Sequence, residues 1–127
     1  MVFSDSFRML DFVSLHCPLT PETREIVSRA RLASMRKGSI LVNTARGACV
    51  DEAALVEALE RGPLAAAALD VFEGEPVVPP GLIALPNVVL TPHIGSADAP
   101  TRRAMAEMAV ANVLAVLGGS EAPNRVG

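Results

Sequence analysis

The chain has 127 residues, half of them apolar and a fifth charged, with a net charge of −3. That apolar content excludes an intrinsically disordered chain. The negative charge, with four Phe and no Trp or Tyr, argues against nucleic acid as a partner, which needs cations for phosphate and rings for bases. No apolar run approaches the roughly 18 residues of a membrane helix, so no membrane association is expected. The N-terminus lacks a basic stretch followed by an apolar one, so the expected location is cytoplasmic. Cys17 and Cys49 are too few for a disulfide scaffold and lack zinc spacing, so no metal site is expected.

In chain order, Phe12–Leu15 is a short apolar run ending before a Pro, and Ser39–Asn43 is a second, bounded by Gly38 and Gly47. Residues 65–72 form a third run and residues 87–91 a fourth. Continuous rather than alternating apolar runs suit strands covered on both faces. Between them, Thr20, Pro21 and Glu22 read as a helix start. Ser28 is placed to cap a short segment carrying Leu32 and Met35, closed by Gly38. Asp51 caps a helix with the stripe Ala54, Leu55, Ala58 and Leu59, stopped by Gly62. A loop separates the third and fourth runs. The last helix starts near Pro100 with Met105, Met108, Ala109, Val113, Val116 and Leu117 on one face, read as core packing. Asn112 interrupts it as a buried, hydrogen-bonded amide, and Gly118 and Gly119 end it ahead of a flexible tail over residues 118–127.

Strands alternating with helices predict an α/β fold, a parallel sheet with helices on both faces. In such a sheet every strand's carboxyl end lies on one edge, where open α/β sheets bind ligands. His16 and Cys17 follow the first strand, Thr44, Ala45 and Arg46 the second, Asp70 and Glu75 the third, and His93 the fourth. An Arg between a buried strand and a Gly turn is oddly placed for a surface ion pair and well suited to gripping a carboxylate. Asp70 reads equally as a turn cap, Glu75 as a solvated loop residue and His93 as a partner for backbone groups. His16 reads as a rim residue.

The segments DFVSLHCPLTPETR, MRKGSILVNTARGACVDEAALVEALERG, AAALDVFEGEP and LPNVVLTPHIGS, in this order, resemble the D-isomer-specific 2-hydroxyacid dehydrogenases over residues 11–117. The resemblance implies a Rossmann-like sheet, here the second half of an NAD-binding domain, preceded by a divergent lead-in over residues 1–10. It implies hydride transfer between a nicotinamide cofactor and a small D-2-hydroxy acid or 2-keto acid. His93 would be the acid/base, Glu75 its partner, and Arg46 the group holding the substrate carboxylate. Cys17, Thr44, Ala45, Arg46, Asp70, His93, Gly95 and Ser96 would meet the cofactor. NAD is the expected cofactor, with NADP the other candidate.

The sequence departs from that family in one motif: its nine Gly contain no G-x-G-x-x-G turn for a pyrophosphate. The isolated chain is therefore expected to be inactive, and the exposed edge of Phe12–Leu15 to pair with another copy as a homo-dimer or strand-swapped oligomer. Two further readings follow from the same resemblance. One is a dinucleotide-sensing, corepressor-like regulator, and the other an inactive gene fragment.

Overall fold

The four apolar runs form a parallel sheet in strand order β1-β2-β3-β4, with β1 Phe12–Leu15, β2 Ser39–Asn43, β3 Leu64–Leu69 and β4 Val88–Leu90. The computed structural model describes residues 7–126, so most of the lead-in over residues 1–10 lies outside the described residues. The chain divides into two units, Met1–His93 and Ile94–Gly127, and the sheet belongs to the first. Register aligns Val13 with Leu41, Leu41 with Ala67 and Ala67 with Val88, and one rung on, Leu15 with Asn43, Leu69 and Leu90. Because side chains alternate across a strand, these rows share one face. That face carries the core: Val13, Leu15, Leu41, Ala67 and Leu69 are buried with Leu32, Leu55 and Leu82 from the helices. On the other face Phe12, Ser14 and Val89 are exposed, Phe12 to 68%, while Ile40, Val42, Ala66 and Ala68 are partly buried.

Helix α1 (Arg29–Ser34) buries Leu32, and α2 (Glu52–Glu60) buries Ala54, Leu55, Ala58 and Leu59, the stripe its sequence predicts. Asp51 caps α2, its carboxylate accepting from Ala54 N at 2.9 Å. Ser28 occupies the N-cap of α1, but its side chain makes no capping hydrogen bond. Gly38 turns into β2 with φ +89°, a conformation that favours glycine.

Three expectations for the first unit are corrected. No helix follows Thr20; residues 21–25 form turns. Arg24 N reaches Thr20 O at 3.0 Å, but Glu25 adopts φ +48° and gives its N–H to Ala48 O, which ends the spiral after one turn. The loop between the third and fourth runs contains a short helix, α3 (Pro80–Ile83), with Pro in its first turn and Leu82 fully buried. The third run stops as a strand at Leu69, and residues 70–72 leave the sheet edge.

The second unit is α4 (Ala99–Leu117), capped by Asp98, whose carboxylate accepts from Thr101 N at 2.9 Å. None of its residues is buried, so Met105 and Met108 are not core residues, being 58% and 51% exposed. Val110 and Leu114 are as exposed as Val113 and Val116, so the apolar residues surround the helix instead of forming one stripe. Asn112 is hydrogen-bonded but half-buried, donating to Met108 O and accepting from Asn124 N. The latter bond and Ser120 N to Ala115 O tie the residues after Gly118 back to the helix. Among the described residues, no helix is long and apolar enough to cross a membrane.

Two positions on β2 separate packing from polarity. Leu41 and Ser39 are both fully buried, and Ser39 Oγ has no hydrogen-bond partner. Leu41→Ala should cost about 2–5 kcal/mol in urea unfolding of this chain, from lost transfer energy and the cavity left behind. Ser39→Ala should be neutral or stabilising by about 1 kcal/mol, since it removes an unpaired buried hydroxyl. A large loss from Ser39→Ala would contradict this packing.

Candidate active site

The parallel register brings the residues after β1, β2, β3 and β4 to one edge of the sheet, where two open cavities lie side by side. The first, about 490 Å3, is lined by His16, Cys17, Pro18, Leu19, Thr44, Ala45 and Arg46. The second, about 270 Å3, is lined by Leu19, Arg46, Gly47, Ala48, Phe72, Glu73, Glu75 and His93. Arg46 and Leu19 border both.

The turn after β2 is held by Asn43, a residue not among the site candidates above. Its buried amide accepts from Ala45 N at 3.0 Å and donates to Arg46 O at 2.9 Å. An Asn closing a strand and bonding the backbone two residues on is a recognised turn signature, and it was available in the sequence. Gly47 follows, and a Cβ there would sit 1.9 Å from the Phe72 carbonyl carbon and 2.2 Å from Glu73 N. Only glycine allows this approach, so the Arg46 turn rests directly on the backbone leading to Glu75. Arg46 itself is exposed and donates from Nη1 to Ala45 O at 2.6 Å.

Glu75 and His93 are in direct contact, with His93 Nδ1 2.7 Å from Glu75 Oε2. The other carboxylate oxygen, Oε1, accepts from Phe72 N at 2.9 Å, so both oxygens are engaged. The His93 hydrogen bond, then the Phe72 N–H, hold the Glu75 carboxyl below the usual carboxylate range, and the Arg46 charge acts in the same direction. An ionised carboxylate only accepts, so Nδ1 carries the proton and Nε2 is the ring's outward nitrogen. His93 has φ +55°, a left-handed conformation uncommon for a residue with a side chain. Strain of this kind, of order 1–3 kcal/mol, clusters at functional sites.

Asp70 is buried and lines neither cavity. It closes β3, giving its N–H to Asn43 O at 3.0 Å and accepting from Thr91 Oγ1 at 2.6 Å. His16 lies on the rim, with Nε2 2.8 Å from Ser14 Oγ. Gly95 and Ser96 belong to the second unit, in a turn closed by Ala97 N to Ile94 O. Among the described residues, no group of three or more His, Cys, Asp or Glu is placed to hold a metal ion.

A family model for the D-isomer specific 2-hydroxyacid dehydrogenase NAD binding domain matches residues 2–95. The chain belongs to the D-isomer-specific 2-hydroxyacid dehydrogenase family. The match reaches back to residue 2 and so includes most of the segment set apart above as a lead-in. Glyoxylate/hydroxypyruvate reductase B of Serratia proteamaculans is 54% identical over 91% of this chain and 36% of its own length. Glyoxylate reductase of Aeropyrum pernix is 52% identical over 96% of this chain and 37% of its own. Among solved structures, an NADPH-dependent glyoxylate/hydroxypyruvate reductase from Sinorhizobium meliloti, in complex with NADP and malonate, superposes with TM-score 0.94. It is 40% identical, over 98% of this chain and 39% of that one. The chain thus spans little more than a third of the relatives it matches, and its Rossmann-like α/β fold is theirs.

The ion pair makes a pH prediction. Because folding lowers the Glu75 pKa, its contribution to stability is present above the unfolded value of about 4.3 and is lost as pH falls through the folded value. Carbon-detected titration should place the Glu75 midpoint below that of an ordinary Glu, and His93→Gln should move it upward. An unchanged midpoint in His93→Gln would show that the contact is not what holds the carboxylate.

Proposed function

We propose that this chain supplies the catalytic half of the nicotinamide-binding domain in an NAD(P)-dependent reductase of small 2-keto acids of the glyoxylate and hydroxypyruvate type. The observation that carries the reading is Arg46 bordering both cavities, with the His93–Glu75 pair lining the smaller one. The residues fit a nicotinamide cofactor: small side chains and backbone at Cys17, Thr44 and Ala45 line an open cavity beside the acid/base pair. Asp70, just after β3, is the proposed acceptor for the cofactor's carboxamide. When bound, the cofactor supplies the hydride chemistry.

The chain's own groups divide the remaining work. Arg46 holds the substrate carboxylate through its planar fork, which also orients the adjacent carbonyl. His93 delivers the proton from Nε2 to the carbonyl oxygen as it becomes a hydroxyl, and removes it in the reverse direction. Glu75 keeps the ring turned so that Nε2 points outward. Both carboxylate oxygens of Glu75 are already engaged, so Glu75 orients and does not itself transfer the proton.

In the full-length protein carrying this chain, His93→Ala should lower kcat on glyoxylate by roughly a hundredfold or more. Arg46→Lys should act mainly on KM, since an ammonium cannot reproduce a two-point grip on a carboxylate. Steady-state kinetics separate the two effects. Near-normal kcat/KM in both variants would overturn the assignment.

A further inference from the structure

Cys17 and Cys49 are 32 residues apart in sequence, and their sulfurs lie 4.0 Å from each other. Both are free thiols of the first unit. Their surroundings differ. Cys17 is partly buried, in the turn after β1, and lines the larger cavity with Thr44, Ala45 and Arg46. Cys49 is fully buried in the 3-10 turn Gly47–Cys49. Its backbone is fixed on both sides, with its N–H donating to Arg46 O at 3.1 Å and its carbonyl accepting from Val27 N at 3.0 Å. The bridge between Val27 and Val50 clamps the next residue.

A disulfide requires the sulfurs to close to about 2.05 Å, so the pair needs to move by about 2 Å. The Cys17 side chain is the one placed to move, because it borders open space while Cys49 is enclosed. Burial, and then the contact with Cys17, push the Cys49 thiol up, which keeps it protonated and inert until a partner sulfur arrives.

We propose that Cys17 and Cys49 form a dithiol site, reversibly oxidised by small-molecule disulfides, whose internal bond clamps the turn after β1 to the turn carrying Arg46. In the first step the Cys17 sulfur, having lost its proton, attacks one sulfur of the external disulfide. That S–S bond breaks, and one small thiol leaves with the proton. The Cys49 sulfur, deprotonated in turn, then attacks Cys17 in the mixed disulfide, forming the Cys17–Cys49 bond and releasing the second small thiol. The chain loses two hydrogens and the external disulfide is reduced to two thiols. This site does not depend on the activity proposed above, because every group in it belongs to the first unit and its readout is covalent.

The test is equilibration of the native chain in mixtures of reduced and oxidised glutathione, followed by acid quench, alkylation and intact-mass measurement. The expected product has lost both thiols, carries no glutathione, runs as a monomer on a non-reducing gel and is restored by dithiothreitol. Its oxidation constant should exceed that of the same chain in urea by about tenfold or more, since folding raises the effective concentration of one sulfur at the other. Cys49→Ala should trap Cys17 as a stable glutathione adduct, and Cys17→Ala should leave Cys49 unmodified. Glutathione adducts on both cysteines of the native chain, bonds only between chains, or an oxidation constant no higher folded than unfolded would each overturn the proposal.

Discussion

The site depends on a contact between two backbones. Gly47 lies so close to Phe72 and Glu73 that any side chain there would occupy the same space as the opposing main chain. Two turns that leave adjacent strands, one after β2 and one after β3, are thereby pressed together. The first carries Arg46 and the second leads to Glu75. Asn43 supports the arrangement, since its buried amide accepts the Ala45 N–H and donates to the Arg46 carbonyl, which Cys49 N also reaches. A single methyl group at Gly47 would separate the cation from the carboxylate.

The polar contacts at this edge contribute little to holding the fold. His93 and Glu75 are partly exposed, their side chains 47% and 34% accessible, and ion pairs in such surroundings stabilise by about 0–1 kcal/mol. Against that stands the left-handed backbone of His93, which costs a comparable amount or more. The arrangement makes better sense as placement of a ring than as a source of stability. Stability comes from the covered face of the sheet, where Leu32, Leu41, Leu55 and Leu82 are buried almost completely, each contributing about 1.5–3 kcal/mol relative to exposure. A rigid core under one face of the sheet thus carries an exposed, polar carboxyl edge.

The strands were readable because each is a short apolar run with a Gly or Pro near its boundary, and α2 because Asp51 and Gly62 bracket a clear stripe. The clustering of Arg46, Glu75 and His93 was readable once parallel strands were assumed, since parallel order alone brings their carboxyl ends together. What failed was local. Thr20, Pro21 and Glu22 carry a helix-start pattern, but Glu25 instead gives its N–H to Ala48, a tertiary bond that no local pattern encodes. The short helix α3 has only four residues, too few for a period to show, and is placed by the burial of Leu82. The apolar residues of α4 suggest one stripe at helical spacing, but Val110 and Leu114 lie off it in the sequence itself. In the sequence Asn43 reads only as the last residue of a strand, whereas its side chain is the fastening of the turn.

The proposed chemistry requires Glu75 to fix the His93 ring with Nδ1 protonated toward it and Nε2 turned outward. Nitrogen NMR of the imidazole in this chain, recorded at a pH where the ring is neutral, reads the tautomer directly. The expected result is an Nδ1–H form, with loss of that preference in Glu75→Gln. A ring in the Nε2–H form, or a tautomer indifferent to Glu75→Gln, would contradict it.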